Sequence, residues 1–109
     1  MNSSVYRILV ISAFAAAKLV LTGPAASQSE QQLEEGEQVY NNYCFTCHGE
    51  RLVSSGQTFD LRRLKSSDRP RFDAAVRNGK GQMPPWKGVL GDGQIEALWA
   101  YIRANAFER

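Results

Sequence analysis

The sequence predicts an all-α domain with three helices, and three observations carry that prediction. Three segments repeat their apolar residues every three to four positions, as one face of a helix does. The stretches between them are rich in Gly, Ser, Asn and Pro, and none alternates as a half-buried strand would. The chain has 109 residues, 43% of them hydrophobic and 22% charged, values ordinary for a single globular domain and wrong for a disordered one.

The N-terminus stands apart. Residues 1–7 are polar with one cation, Arg7, and an apolar run follows from Ile8 to Leu21 before Thr22-Gly23-Pro24 breaks it. Ala25-Ala26-Ser27 then places small residues at the −3 and −1 positions of a cleavage site ahead of Gln28. This is the pattern of a secretory signal peptide. A membrane anchor is the alternative, which would leave the domain tethered on the periplasmic face. A spanning helix needs about 20 apolar residues, whereas this run has 14 and contains Lys18, a residue costing about 2.5–3.5 kcal/mol at mid-membrane. The expectation is removal of residues 1–27, leaving a domain over 28–109 in the periplasm with no stable membrane insertion.

Cleavage changes the charge argument. The full chain carries 13 cations and 11 anions, a balance that suggests an anionic partner such as nucleic acid. Arg7 and Lys18 leave with the leader, so the remaining 82 residues are neutral and nucleic acid drops out. The charge is nevertheless divided: residues 28–50 hold five acids and no Lys or Arg, while residues 51–87 net +6.

Along the mature chain, the first helix is expected from about Glu30 to Tyr43, with Leu33, Gly36, Val39, Tyr40 and Tyr43 on one stripe. A short second helix is expected over Arg69–Asn78, capped by Asp68, with Pro70 in its first turn, Phe72, Ala75 and Val76 inward, and Gly79 at its end. The third starts at Asp92 as N-cap and buries Ile95, Leu98, Trp99, Ile102 and Ala106. Eighty-two residues with long loops bury too little apolar surface to be comfortable alone. Something else belongs in the core.

Cys44-Phe45-Thr46-Cys47-His48 says what it is. Cys-x-x-Cys-His is the attachment signature of c-type haem: two thiols three residues apart can each form a thioether with one vinyl group, holding the following imidazole beneath the iron. A structural zinc site needs four protein ligands, and two cysteines with one histidine cannot supply them. A thioredoxin-like dithiol wants a βαβ context, and a plain disulfide leaves His48 unexplained. For the second axial position there is no other histidine, and Met83 is the one methionine besides Met1. A lone methionine is often core filler. Here it sits in Gly79-Lys80-Gly81-Gln82-Met83-Pro84-Pro85-Trp86, a loop that glycine lets approach closely and proline stiffens. His48 and Met83 are therefore the expected axial ligands, an arrangement that raises the potential and closes the sixth position to substrates.

On these residues the whole mature chain resembles the class I c-type cytochromes. That resemblance implies the cytochrome c fold, three to four helices and loops wrapped around one covalently bound haem, with the last helix packed across the first. Gly36 and Tyr40 match the family's glycine and aromatic on the first helix, and Leu98, Trp99 and Tyr101 fall where their counterparts on the last are expected. One departure is Thr58-Phe59-Asp60-Leu61, where the family often has proline before Asp-Leu or Asn-Leu. A carbonyl of this loop is expected to accept the ring N–H of His48, and the sequence does not choose which.

The function this implies is a monomeric one-electron carrier with no catalytic residue. Asp60-Leu61-Arg62, the run Gln82 to Trp86 and Trp99-Ala100-Tyr101-Ile102 are similar to small periplasmic cytochromes that serve quinoprotein alcohol dehydrogenases. The implied donor is such a pyrroloquinoline quinone enzyme, and the acceptor a terminal oxidase or another cytochrome. Arg51, Arg62, Arg63, Lys65, Lys80 and Lys87 supply cations that either ring the exposed haem edge and steer an acidic partner, or simply solvate a loop surface. The competing class is a haem enzyme or gas sensor with an open sixth position, against which the lack of a distal histidine argues.

Overall fold

The computed structural model describes residues 15–16 and 25–108, with side chains of the first helix described from Glu30. The expected leader over residues 1–27 lies outside these, save residues 15–16 and the backbone from Ala25. Four α-helices appear: α1 (Ala25–Tyr43), α2 (Phe45–His48), α3 (Arg69–Asn78) and α4 (Asp92–Ala104). Single 3₁₀ turns at Glu50–Leu52, Leu61–Arg63 and Ser66–Asp68 punctuate the intervening chain. The described residues hold no β-strand, only isolated bridges, and no described helix is long and apolar enough to cross a membrane.

α1 begins at Ala25, five residues before the expected start, because Gln, Glu and Ser continue the helix without a breaker after Pro24. Its stripe buries Gly36, Val39 and Tyr40 against α4. A β-carbon on Gly36 would lie 2.0 Å from the Ala97 carbonyl oxygen and 2.8 Å from the Tyr101 β-carbon. Only glycine permits that approach, and it brings the Tyr40 and Tyr101 rings within 5.6 Å.

α3 occupies the expected residues, with Pro70 in its first turn, Phe72 and Val76 buried, and Gly79 (φ 77°) ending it through an N–H to the Ala75 carbonyl. The expected cap is corrected: the Asp68 carboxylate accepts the Lys65 N–H at 2.8 Å, which closes the preceding turn and leaves α3 without a side-chain cap. α4 also shifts by one residue at its start. Gly91 is the N-cap, Asp92 is helical, and the Asp92 carboxylate pairs with Arg77 on α3 at 2.7 Å. Ile95, Leu98 and Ile102 are buried as expected; Ala106 is buried too, though past the helix end. Trp99 serves α3 rather than α1, its ring centroid 4.9 Å from that of Phe72.

Arg69 adds a polar clamp between α3 and α4, its Nε 2.9 Å from Asp73 and its Nη2 2.6 Å from Glu96. Exposed pairs of this kind contribute about 0–1 kcal/mol, so the apolar seam dominates. The glycine crossing is directly testable. Gly36→Val should lower the unfolding free energy by about 1–3 kcal/mol or more through overpacking, read by denaturant titration. Gly93→Ala, at a helical position with nothing within 4 Å of the added carbon, should be neutral or stabilising by up to about 1 kcal/mol.

Candidate functional site

The chain leaves α1 at Cys44 (φ −120°, ψ −30°) and winds one further turn as α2. The Cys44 carbonyl accepts the N–H groups of Cys47 (3.3 Å) and His48 (3.0 Å), so the turn is built from the motif's own backbone. Gly49 (φ 91°) then reverses the chain, and a β-carbon there would lie 2.0 Å from the Val53 carbonyl oxygen. The Tyr40 hydroxyl donates to the Gly49 carbonyl at 2.5 Å, tying this reversal to the α1–α4 seam.

Cys44 is buried and Cys47 exposed, and the two are not joined to each other in a disulfide. Burial pushes the Cys44 thiol up to about 12, and the nearby Cys47 adds to the shift. His48 is half-buried. Its burial lowers the imidazole pKa, and a hydrogen bond to the Phe59 backbone opposes that shift. Phe59, standing where the family often has proline, is the loop residue whose backbone acts on the imidazole. Thr58 joins it: its hydroxyl donates to the Cys47 carbonyl at 3.2 Å and lies 3.2 Å from His48 Nδ1. A hydroxyl whose proton is committed elsewhere accepts from Nδ1–H, which leaves Nε2 with its lone pair free to ligate. Thr58 is a site residue that sequence reading missed; its only signal is a hydroxyl beside the Phe-Asp-Leu stretch.

The Met83 loop is pinned to itself and to α3. Lys80 and Met83 exchange backbone N–H···O bonds of 3.0 Å, and the Trp86 N–H donates to the Val76 carbonyl at 2.8 Å. Gly79 allows the close fold-back: a β-carbon there would meet the Met83 carbonyl oxygen at 2.6 Å. Met83 itself packs, half-buried, against the core.

These pieces converge. Cys44, Cys47, His48 and Met83 all line one cavity of about 560 Å³, whose walls include Leu64, Phe72, Val76, Leu98 and Ile102. Its size falls within the roughly 300–1,000 Å³ of cofactor and ligand sites, and its mostly apolar wall with a few polar groups suits such a site. An apolar macrocycle fits those walls, the two thiols suit its vinyl groups, and an imidazole and a thioether suit its iron. Among the described residues no cluster of three or more His, Cys, Asp or Glu could hold a bare metal ion instead.

The six candidate cations divide between the two expected readings. Of the six, Lys80 alone lines the cavity. Arg62 is paired to Asp60 at 2.8 Å and Lys65 lies 3.9 Å from Glu108, while Arg51 lines a separate surface pocket with Glu37 and Glu50. Arg71, which was not among them, does line the cavity, with its guanidinium 4.7 Å above the Phe59 ring.

A helical shell closed over a cavity that holds Cys-x-x-Cys-His and a methionine defines an electron-transfer protein with one covalently bound c-type haem. Residues 31–102 match the family model described as cytochrome C oxidase, cbb3-type, subunit III, and the chain belongs to the class I c-type cytochromes. It is 33% identical over 105 residues to cytochrome c6 of Thermosynechococcus vestitus, covering 92% of each chain. It is 36% identical over 97 residues to chloroplastic cytochrome c6 of Chlamydomonas reinhardtii, covering 83% of this chain and 66% of that one. A quinohemoprotein alcohol dehydrogenase, ADH IIB of Pseudomonas putida, is 27% identical over 115 residues, a match that spans 94% of this chain and 17% of the enzyme.

Tyr40 gives this region a pH signature. Burial pushes its phenol from 10.0 up to about 12. A pKa raised by folding contributes stability that is present below pH 10 and lost as pH rises through about 12. Alkaline unfolding curves should show that loss in the wild type and lack it in Tyr40→Phe. At pH 7 the variant should be weaker by about 1–3 kcal/mol, since the Gly49 carbonyl loses its donor.

Proposed function

We propose that residues 28–109 are a periplasmic one-electron carrier in which Cys44 and Cys47 hold the haem by thioethers and His48 and Met83 are its axial ligands. The observation that carries this reading is the convergence of all four side chains on one cavity. The bound group supplies reversible one-electron transfer at its iron, and imidazole–thioether ligation favours a raised potential. The chain's part is to hold and orient. Thr58 and the Phe59 backbone fix the His48 ring, the loop bonds at Lys80 and Val76 hold Met83, and the walls from α3 and α4 keep water from the interior. Nothing in this arrangement calls for a general base or nucleophile.

Residues 1–27 are read as the export signal, which gives the periplasm as the compartment. The carrier acts as a monomer and exchanges electrons with redox proteins. A quinoprotein alcohol dehydrogenase is the proposed donor, and a terminal oxidase or another cytochrome the acceptor. The support for the donor is that two proteins named quinohemoprotein alcohol dehydrogenase contain segments resembling 94% and 78% of this chain. Relatives named cytochrome c6, matched over 92% of their length, support a free-standing carrier.

The ferric visible spectrum tests the ligand set. A sulfur-to-iron charge-transfer band should be present in the wild type and absent in Met83→Ala; a five-coordinate, high-spin native protein would overturn the reading and favour the sensor or enzyme class. Stopped-flow mixing of the ferric carrier with a reduced quinoprotein alcohol dehydrogenase should show reduction at a salt-dependent rate, and no reduction at any ionic strength would remove that donor.

A further inference from the structure

Tyr43 is the last residue of α1, directly ahead of Cys44, and Trp86 follows Met83 by three residues. Their ring centroids lie 5.2 Å apart at an interplanar angle of 65°, edge to face, the geometry that sets a positive ring edge against a negative ring face. Both side chains line the cofactor cavity. Tyr43 is 38% exposed, so its ring is turned onto the loop rather than into the α1–α4 seam. The backbone bonds from this end of the loop run to α3, from Trp86 to Val76 (2.8 Å) and from Lys87 to Arg77 (3.3 Å). Among the described aromatic pairs, Tyr43–Trp86 joins the methionine loop to the segment bearing the haem motif.

We propose that Tyr43 and Trp86 are positioning residues that latch the Met83 loop to the haem motif and so set how readily an outside ligand displaces Met83. The inference rests on Met83 being an axial ligand, as proposed above. Swinging the loop away from the motif must break the ring contact. Pro84 and Pro85 tie Met83 stiffly to Trp86, so the swing carries Trp86 along and gives up the bonds to Val76 and Arg77 as well, while Gly79 and Gly81, at φ 77° and 60°, absorb the rotation where the loop leaves α3. An aromatic pair of this kind shifts such an equilibrium by about two- to tenfold.

The test titrates ferric holoprotein with imidazole and follows the sulfur-to-iron band. In Tyr43→Ala the imidazole concentration for half-loss should fall about two- to tenfold, while Tyr43→Phe, which keeps the ring, should match the wild type. Tyr43→Ala should add nothing in a Trp86→Ala background, the non-additivity expected of contacting residues. Thermal unfolding of each variant separates a general loss of stability from a specific opening of the loop. A Tyr43→Ala protein with the wild-type half-loss concentration overturns the latch alone, and so does a Tyr43→Phe protein that behaves like Tyr43→Ala. A wild type with no sulfur-to-iron band overturns Met83 ligation and the latch with it.

Discussion

The close crossing of α1 and α4 is the constraint on which the other features depend. At Gly36 the backbone of α1 rests against the Ala97 carbonyl, with no room for a side chain. That contact sets the register of both helices. It stacks Tyr40 beside Tyr101, and it delivers the end of α1, carrying Tyr43 and Cys44, to the wall of the cavity. From the other helix the same register turns Leu98 and Ile102 to that cavity. One glycine thus fixes where the haem motif stands relative to the walls that must enclose the cofactor.

Within that frame the work is divided between covalent geometry and second-layer hydrogen bonds. The one-turn helix α2 with its N-cap residue Cys44 presents the two sulfurs and the imidazole, while the loop after it supplies orientation: the Phe59 backbone and the Thr58 hydroxyl act on the same ring. Such partners decide which nitrogen carries the proton, and hence which is free to ligate. The polarised charge of the chain resolves in a similar local way. Arg62, Arg69 and Arg77 are held by Asp60, Asp73, Glu96 and Asp92, so much of the basic central segment knits the surface together. The cations on the cavity wall are Lys80 and Arg71.

The elements that sequence reading located well are those whose signal is periodic or covalent. α3 runs over the expected residues and the α4 cap falls one residue before the expected one, because their apolar stripes and breakers are explicit in the chain. Cys44, Cys47, His48 and Met83 could be singled out because each is scarce and chemically specific, and the structure gathers them in one cavity. What stayed hidden depends on contacts distant in sequence. Asp68 looks like a helix cap, yet a nearer donor, the Lys65 N–H, takes its carboxylate. Trp99 lies on the helix stripe, but a partner on α3 claims its ring. Thr58 and Arg71 have no spacing pattern to announce them; only the folded loop brings one to His48 and the other over Phe59.

With Met83 as the proposed second ligand beside His48, the molecule would be a carrier whose iron keeps both protein ligands. The proton NMR spectrum of the ferrous protein tests it most directly, because a methionine bound over the porphyrin face has its methyl protons shifted far upfield by the ring current. One such three-proton resonance is expected, absent from Met83→Ala. A ferrous wild-type spectrum with no upfield methyl resonance would contradict it.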